Sequence, residues 1–283
     1  MSILSIQSSV AVGHVGNSAA MFPMQRLGFE VWAVPSMLFS NHPGYDSHGG
    51  APVPIETMRA MVDGIDKLDH FDHCNAVLSG YLGTVEAGQF VVETVKRVKN
   101  SNKETVYFCD PVVGDMTRQL YVENAAAEYV RDELLPLADI IAPNIFELEY
   151  LTGRKQETLD DTLFAADMLR SRGPKTVLVT SVKGRKGSTP TVSNVVVSDK
   201  GAWRVTVPQC PLRAKGTGDV FAALFLAHLL RGERTRSALE LATSTIFGII
   251  DDTVRHDSDE LRLIDAQAEY LHPSFYFDAV RVG

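Results

Sequence analysis

The chain has 283 residues, of which 45% are apolar and 22% are charged, a balance that excludes a disordered protein and allows a sizeable core. Its 27 basic and 35 acidic residues give a formal net charge of −8 (27 − 35). These totals do not indicate a nucleic-acid-binding protein, although a local pocket can oppose the net charge and accept an anionic substrate.

Short apolar runs rich in β-branched residues alternate with longer helical patterns along the chain. In chain order, the runs predict strands at 3–8, 76–79, 105–110, 140–142 and 176–181. Helical spacing predicts helices at 86–99 and 158–172, and two β-rich runs at 192–198 and 202–207 predict a hairpin or edge strands. This alternation predicts an α/β fold, with a mostly parallel sheet covered on both faces, in one domain over 1–283.

Residues 36–54 interrupt the alternation because Gly, Pro, Ser and His replace the periodic pattern, which predicts a loop or small flap. The N-terminus lacks the cationic and apolar regions of a secretory signal. The longest apolar stretch, 220–230, is too short to cross a bilayer. Three widely spaced cysteines show neither metal-ligand spacing nor a disulfide framework. We therefore expect a reduced cytoplasmic protein without a membrane partner.

The strongest local motif is Lys215-Gly-Thr-Gly-Asp219, which leads directly into a strongly apolar helix. Backbone N–H groups at such a helix start are unpaired and suit phosphate oxygens or a developing oxyanion. Asp219, in the first turn, could take a proton from a substrate hydroxyl. The alternative is an ordinary glycine turn with Asp219 as the N-cap.

Two further motifs place acids at predicted strand ends. Asp110 ends one strand and Asp115 follows a glycine turn, a pattern that suits Mg²⁺ and its waters or, alternatively, an exposed Asp-Pro turn. Asn144 could cap the helix that holds Glu147, and Glu147 could then contact a water in the shell of a magnesium ion. Because these two residues are three apart, they also fit a capping box.

Polar and aromatic residues follow two other predicted strands. Tyr81, between glycines, could stack on an aromatic ring or could be a core or lid tyrosine. Ser8 could hydrogen-bond a ring nitrogen or hydroxyl, or could cap its strand. The histidines His14, His42 and His48 share no metal-ligand spacing and fit polar loops.

Six segments occur in chain order: IQSSVAVGHVGNSAA, FSNH, LSGYLG, FCDPVVGD, APNIFELEYLTG and KGTGDVFAA. Over residues 3 to about 250 they resemble the pyridoxal kinases of the ribokinase superfamily. The GTGD and DPVxGD segments are shared by several vitamin kinases, whereas the IQS…GHxGN start, SNH and SGYLG are more particular to pyridoxal kinases.

The resemblance implies a ribokinase-like three-layer α/β/α sandwich with a mostly parallel central sheet. It implies ATP-dependent phosphorylation of the 5′-hydroxymethyl group of pyridoxal, giving pyridoxal 5′-phosphate in vitamin B6 salvage, with pyridoxine and pyridoxamine as common further substrates. ATP as co-substrate, Mg²⁺, a K⁺ requirement and a homodimer follow from the same resemblance. The flap at 36–54 should then help to cover the substrate.

The resemblance also assigns residue roles. Asp219 is implied as the catalytic base, beside an anion hole of Gly216, Thr217 and Gly218. Substrate contacts are implied for Ser8, Asn17, His42, Pro43, Gly44, Tyr81 and Asp219. Nucleotide contacts are implied for Asp110, Asp115, Ala142, Glu147, Thr180, Ser181, Lys215, Thr217 and Gly218, with Asp110 and Glu147 organising Mg²⁺.

Some positions depart from the family pattern. Pro43-Gly44 follows SNH where many relatives have a threonine, so one hydroxyl near the substrate is lost. Ala142 replaces a threonine next to the monovalent cation of some relatives, which makes K⁺ activation less secure than Mg²⁺ dependence. Thr180 replaces the lysine of one bacterial branch. Two alternatives stay open: a hydroxymethylpyrimidine kinase, and a protein that binds pyridoxal 5′-phosphate with little turnover.

Overall fold

The computed structural model describes residues 1–184 and 190–283. Its strands are β1 (Ser2–Val10), β2 (Glu30–Phe39), β3 (Gly50–Pro52), β4 (Cys74–Ser79), β5 (Val106–Cys109), β6 (Gly114–Asp115), β7 (Gln119–Leu120), β8 (Ile140–Ile141), β9 (Thr176–Lys183), β10 (Thr191–Ser198), β11 (Gly201–Pro208) and β12 (Val280–Val282). Its α-helices are α1 (Asn17–Arg26), α2 (Ile55–Asp66), α3 (Val85–Ser101), α4 (Asn124–Tyr129), α5 (Leu135–Leu137), α6 (Ile145–Thr152), α7 (Leu159–Arg170), α8 (Thr217–Leu230) and α9 (Thr235–Arg255).

In the described part of the chain, ten strands form one sheet in the order β12-β11-β10-β9-β8-β5-β4-β1-β2-β3. The central strands from β2 to β9 pair in parallel. At the edges, β3, β10, β11 and β12 pair antiparallel. Because the central strands are parallel, their carboxyl ends meet along one side of the sheet, where α/β folds place their ligands.

Helices cover both faces of the sheet, and each face has its own apolar core. One core contains Val91, Val95 and Val98 of α3, which share one helix face. The other contains α8, whose residues 220–228 are all buried. A helix that is apolar all round must lie inside the protein, so α8 holds its N-terminus firmly against the sheet. The predicted three-layer α/β/α class is confirmed.

The helix ends match their sequence signals. Thr158 and Asp161 form a capping box at the start of α7, and Thr84 caps α3 through the backbone N–H of Ala87. The predicted helices at 86–99 and 158–172 and the five predicted strands are all present, with ends that differ by at most two residues. The predicted hairpin is β10 and β11, although residues 185–189 just before it lie outside the described residues.

The interruption at 36–54 is smaller than the composition indicates. Residues 36–39 continue β2 and residues 50–52 form β3, which returns antiparallel to it. The backbone between them, residues 40–49, is the true connection and is called the flap from here on. The composition was misleading because residues 36–39 belong to β2 although they adjoin a stretch rich in Gly, Pro, Ser and His. The pairing of β2 with β1 also shifts register here, between Pro35 and Leu38.

Candidate active site

A cavity of about 670 Å³ lies at the carboxyl ends of the parallel strands. It is bounded by the turn after β5, the starts of α6 and α8, and the flap. Of the predicted site residues, those that line it are Ser8, His42, Pro43, Gly44, Tyr81, Asp110, Asp115, Ala142, Glu147, Thr180, Ser181, Lys215, Gly216, Thr217, Gly218 and Asp219. Residues scattered over two hundred positions are thus brought to one cavity by the topology of the sheet.

Asn17 is the predicted residue that the structure does not bring to the cavity wall. It is buried at the start of α1, where Ser5 Oγ donates to its Oδ1 over 2.7 Å. Its Nδ2 donates to the carbonyl oxygen of Gln7 over 3.1 Å. Both polar atoms of the amide are therefore used beneath β1, and the geometry offers no support for a direct substrate contact.

The N-terminus of α8 forms the phosphate-binding candidate. Gly216, with φ +92°, precedes the helix in the left-handed region. A Cβ at this position would collide with the carbonyl oxygen of His14, so the backbone here requires glycine. The N–H groups of Thr217 and Gly218, in the first turn, have no carbonyl partner within the helix, and both residues line the cavity, where the helix dipole favours an anion.

Asp219 lies in the first turn of α8, beside these N–H groups. The backbone N–H of Gly16 donates to its carboxylate. Burial raises the pKa of Asp219 to about 6, because removal from water penalises the charged form, and the hydrogen bonds offset only part of this. The carboxylate is thus a stronger proton acceptor than an exposed aspartate, while it is still ionised near neutral pH.

Asp110 and Glu147 are buried carboxyl groups on the same wall. Glu147 Oε2 accepts from the N–H of Asn144 over 2.9 Å, and Glu147 Oε1 accepts from the N–H of Val113 over 3.1 Å. The capping box with Asn144 is therefore real, and it fixes the carboxylate at the cavity. Burial, then repulsion from Glu147 and Asp219, raises the pKa of Asp110; burial likewise raises that of Glu147.

The repulsion between Asp110 and Glu147 is relevant to whether they can bind a cation. Among residues 1–184 and 190–283, no three or more His, Cys, Asp or Glu side chains gather as a self-sufficient metal cage. Mg²⁺ is usually held by only one or two carboxylates, together with waters and substrate phosphates. Two buried carboxyl groups on one wall fit that mode of binding, because a divalent ion would offset the cost of ionising both.

Asp115 has a different role in the geometry, since it organises the β6–β7 hairpin. Its Oδ1 accepts from the N–H groups of Thr117 and Arg118, each over 2.7 Å, and the hydroxyl of Tyr121 donates to Oδ2. Burial acts to raise the pKa of Asp115, but these hydrogen bonds outweigh it and lower the pKa overall. Asp115 is therefore an anion near neutral pH, and it holds Arg118 and Tyr121 at the cavity.

The opposite wall carries the residues that the sequence linked to the pyridine ring. Ser8 is buried at the end of β1, and Tyr81 is half-buried after β4. The backbone carbonyl of Tyr81 accepts from Ser36 Oγ over 2.7 Å, which fixes the turn that presents the ring. His42, Pro43 and Gly44 of the flap close this side, so the proposed ring site lies between strand ends and flap.

A second cavity of about 240 Å³ joins the first. The residues shared along their common boundary are Thr180, Ser181, Leu212, Thr217, Gly218 and Phe221. Ser181 has φ +61°, a conformation that costs a non-glycine residue about 1 kcal/mol. The side chains that line only the second cavity, mostly apolar, are Val192, Asn194, Val207, Pro208, Gln209, Cys210, Thr243, Ile246, Phe247 and Ile250.

Sequence reasoning missed this second set entirely, and it also missed Arg118 and Tyr121. The apolar lining residues lie on β10, β11 and α9, where their spacing is that of ordinary core positions, so no local signal separates them from the core. Arg118 and Tyr121 follow the DPVVGD segment closely, and a search for polar residues just after it could have found them. Arg213, unlike Arg118, does not line the first cavity: it is exposed and forms ion pairs with Asp257 and Asp259.

Two further features concern membrane-spanning helices and the cysteines. Every helix in the described residues is too short or too polar to span a bilayer. Cys74 and Cys109 are buried in the core, and Cys210 is partly buried and lines the second cavity. Burial raises the pKa of the Cys109 thiol to about 12, which keeps it protonated and unreactive.

Comparison with known proteins gives first a class and then a family. A family model described as phosphomethylpyrimidine kinase matches residues 42–262. The chain is 43% identical to the pyridoxal kinase PdxY of Leifsonia xyli subsp. xyli and 41% identical to that of Corynebacterium diphtheriae, over 100% of both chains in each case. It also superposes on the solved structure of the pyridoxal kinase from Leishmania donovani in complex with ADP and pyridoxamine.

That superposition has a TM-score of 0.90 at 30% identity and covers 100% of this chain and 99% of the other. The chain therefore belongs to the phosphomethylpyrimidine kinase family and, within it, to the pyridoxal kinases. The resemblance inferred from the six sequence segments and the ribokinase-like fold are confirmed.

Proposed function

We propose that the protein transfers the γ-phosphoryl group of ATP to the 5′-hydroxymethyl group of pyridoxal. The observation that carries the proposal is the position of Asp219 and the N-terminus of α8 where two connected cavities meet. A nucleoside and a small ring can then lie on opposite sides of one anion-binding helix start. Membership in the pyridoxal kinases supplies the identity of the ring.

The transfer needs positioning and charge stabilisation more than covalent participation by the protein. Asp219 accepts the proton of the 5′-hydroxyl group of the substrate while the oxygen of that hydroxyl attacks the γ-phosphorus of ATP. The bond between the γ-phosphorus and the oxygen that bridges it to the β-phosphate breaks, and ADP leaves. The backbone N–H groups that follow Gly216 stabilise the charge on the transferring phosphoryl oxygens. The products are pyridoxal 5′-phosphate and ADP, and the proton resides on Asp219 until solvent removes it.

Cations complete the phosphate end in this proposal. Asp110 and Glu147 would hold Mg²⁺, which would supply positive charge against the phosphates. Lys215 and Arg118 line the same cavity and add positive charge from the protein. A K⁺ requirement stays a prediction, which Ala142 weakens because it lacks the hydroxyl that some relatives offer.

The two binding ends differ in chemistry. We assign the pyridine ring to the side formed by Ser8, Tyr81 and the flap residues His42, Pro43 and Gly44. Ser8 offers a hydroxyl to the ring heteroatoms, and Tyr81 offers an aromatic face. We assign the nucleoside to the second cavity, because Val192, Ile246 and Phe247 give it apolar walls and Thr180 and Ser181 lie at its boundary with the phosphate end.

A substrate panel tests the proposal directly. Purified protein with Mg-ATP is incubated with pyridoxal, pyridoxine, pyridoxamine or hydroxymethylpyrimidine, and products are measured by mass spectrometry. We expect phosphorylated pyridoxal to form catalytically, with the other two B6 vitamers as further substrates. Product from the pyrimidine alone, or tight binding of pyridoxal 5′-phosphate without turnover, would overturn it.

Assembly and location belong to the same proposal. We propose that the whole chain acts as one catalytic domain, that it forms a homodimer and that it works in the cytoplasm, as its family implies. Light scattering of the purified protein tests the dimer. A mass that stays that of a single chain at micromolar concentration would contradict it.

A further inference from the structure

Glu260, in the segment that follows α9, contacts two other parts of the chain that are far from it in sequence. Tyr45 of the flap donates its hydroxyl to Glu260 Oε1 over 2.5 Å. The backbone N–H of His14, in the glycine-rich loop after β1, donates to Glu260 Oε2 over 3.2 Å. One carboxylate therefore joins the flap, the first loop and the C-terminal segment.

A histidine of the flap adds a third contact. Gly44 N–H donates to His42 Nδ1 over 2.9 Å, so in the neutral ring the proton is on Nε2. That nitrogen faces Glu260 Oε1 at 3.7 Å. Burial lowers the pKa of His42, Lys215 and Arg118 lower it further, and Glu260 acts in the opposite direction. The flap thus presents a neutral N–H and a hydroxyl to the same carboxylate.

The contact with His14 connects Glu260 to the anion hole. The carbonyl oxygen of His14 lies so close to Gly216 that a Cβ there would collide with it. A Cβ at Gly13 would likewise collide with the carboxylate of Glu260. Two glycines are therefore required around one peptide, which is held between Glu260 on one side and the start of α8 on the other.

The far side of the flap has a weaker attachment. Arg118 Nη1 donates to the carbonyl oxygen of Pro43 over 3.4 Å, near the limit for a hydrogen bond. Gly44 lies under the same guanidinium group, with no side chain to hold it. The shortest of the contacts between the flap and the rest of this group is the hydrogen bond from Tyr45 to Glu260.

We propose that Glu260 is a positioning residue that holds the flap closed over the substrate cavity and aligns it with the anion hole. The proposal rests on the proposed function, since it assigns the flap to the pyridoxal side. Glu260 does not touch the reacting atoms: it acts through His42 and Tyr45 on the flap and through the His14 peptide on the helix start.

Steady-state kinetics with a double-mutant cycle tests the connection. Glu260→Ala should raise the KM for pyridoxal about tenfold, the scale of one lost hydrogen bond to a charged group, and leave the KM for ATP within about twofold. Tyr45→Phe should raise the same KM about threefold. Because Tyr45 acts through Glu260, the double variant should match Glu260→Ala alone. Additive effects would overturn the proposal.

Two further variants separate positioning from folding. Glu260→Gln keeps one oxygen that can accept from the His14 N–H, and its amide NH₂ can donate to the Tyr45 hydroxyl, so it should restore the KM to within about threefold of wild type. Asp265→Asn removes an exposed carboxylate from the same C-terminal segment and should leave the kinetics unchanged. A Glu260→Gln variant as impaired as Glu260→Ala would contradict the assigned hydrogen bonds.

Hydrogen-exchange mass spectrometry provides a readout without activity. Amides at 41–49 should exchange at least about fivefold faster in Glu260→Ala than in wild type, while amides in β4 and β5 stay unchanged. Unchanged exchange in the flap would overturn the proposal even if kinase activity is present. If wild-type protein phosphorylated no B6 vitamer, the proposed function would fail, while the exchange result would still decide whether Glu260 holds the flap.

Discussion

The two cavities are lined by different kinds of residue. We call the part of the first cavity around Asp110, Glu147 and the start of α8 the phosphate end, and the second cavity, to which we assign the nucleoside, the nucleoside end. At the phosphate end, Asp110 and Glu147 are buried and Asp219 is half-buried, at strand ends and helix starts, and Glu147 accepts hydrogen bonds from the backbone N–H groups of Asn144 and Val113. At the nucleoside end, Val192, Phe247 and their neighbours are apolar side chains of β10, β11 and α9.

This difference has an energetic meaning. Buried carboxylates destabilise a fold unless something compensates their charge, so their presence indicates chemistry. Apolar residues around a cavity stabilise the fold in the same way as any core residue, and their presence alone indicates nothing further. We therefore expect substitutions at the phosphate end to affect kcat and those at the nucleoside end to affect the KM for ATP.

The largest effect is expected at Asp219. Asp219→Asn removes the proton acceptor and keeps the shape, so kcat should fall by at least ~100-fold, the usual scale for a general base. Asp160→Asn is the matched control, because Asp160 is also in the first turn of a helix but is exposed on α7. Turnover near wild type in Asp219→Asn would remove Asp219 from the catalytic role.

The same residue sets a pH dependence. Burial raises the pKa of Asp219 to about 6, and the base must be deprotonated to act. Activity should therefore be full above that pKa and decline as pH falls through it, by about tenfold in kcat/KM between pH 7.5 and pH 5. The profile should be recorded at saturating Mg²⁺, because Asp110 and Glu147 also have raised pKa values. A loss of activity with rising pH over this range would contradict the assignment.

The sequence predicts the two ends unequally for the same reason. Asp110, Glu147 and Asp219 were found because glycines and acids at strand ends are rare in ordinary cores. Five of the six central parallel strands and two helices were found from their periodicity, whereas β2 was not. Phe247 and Val192 were not identified from the sequence, because the residues that line the cavity with them lie on strands and helices distant in the sequence. Asn17, also predicted to contact the substrate, does not line the cavity, because its amide is hydrogen-bonded to Ser5 and Gln7 of β1.

A smaller effect is expected at the nucleoside end. Phe247 lines the second cavity and packs edge-on against Phe275 and Phe277, with ring centroids 4.9 Å away in each case. Phe247→Ala should raise the KM for ATP about fivefold and change the KM for pyridoxal little, because part of an apolar wall is lost. Phe164→Ala, which removes an exposed ring from α7, is the control.

A thermal melt of each variant accompanies this measurement, since Phe247 is itself buried. The Tm of Phe247→Ala should fall, because a core ring is removed. If kcat fell strongly while the KM for ATP stayed constant, the assignment of the nucleoside to this cavity would be wrong.

The smallest effect is expected at Tyr81, which lies on the side of the first cavity that we assign to the pyridine ring. Its ring is half-buried and its carbonyl is fixed by Ser36, so the ring can offer a stacking face without rearrangement. Tyr81→Ala should raise the KM for pyridoxal about threefold, the low end for a lost aromatic contact, with kcat nearly unchanged. Tyr81→Phe keeps the ring and should behave as wild type, whereas Tyr276→Ala removes an exposed tyrosine as a control. If Tyr81→Phe were as impaired as Tyr81→Ala, the hydroxyl rather than the ring would contact the substrate, and Tyr81 would belong with the polar residues of the phosphate end.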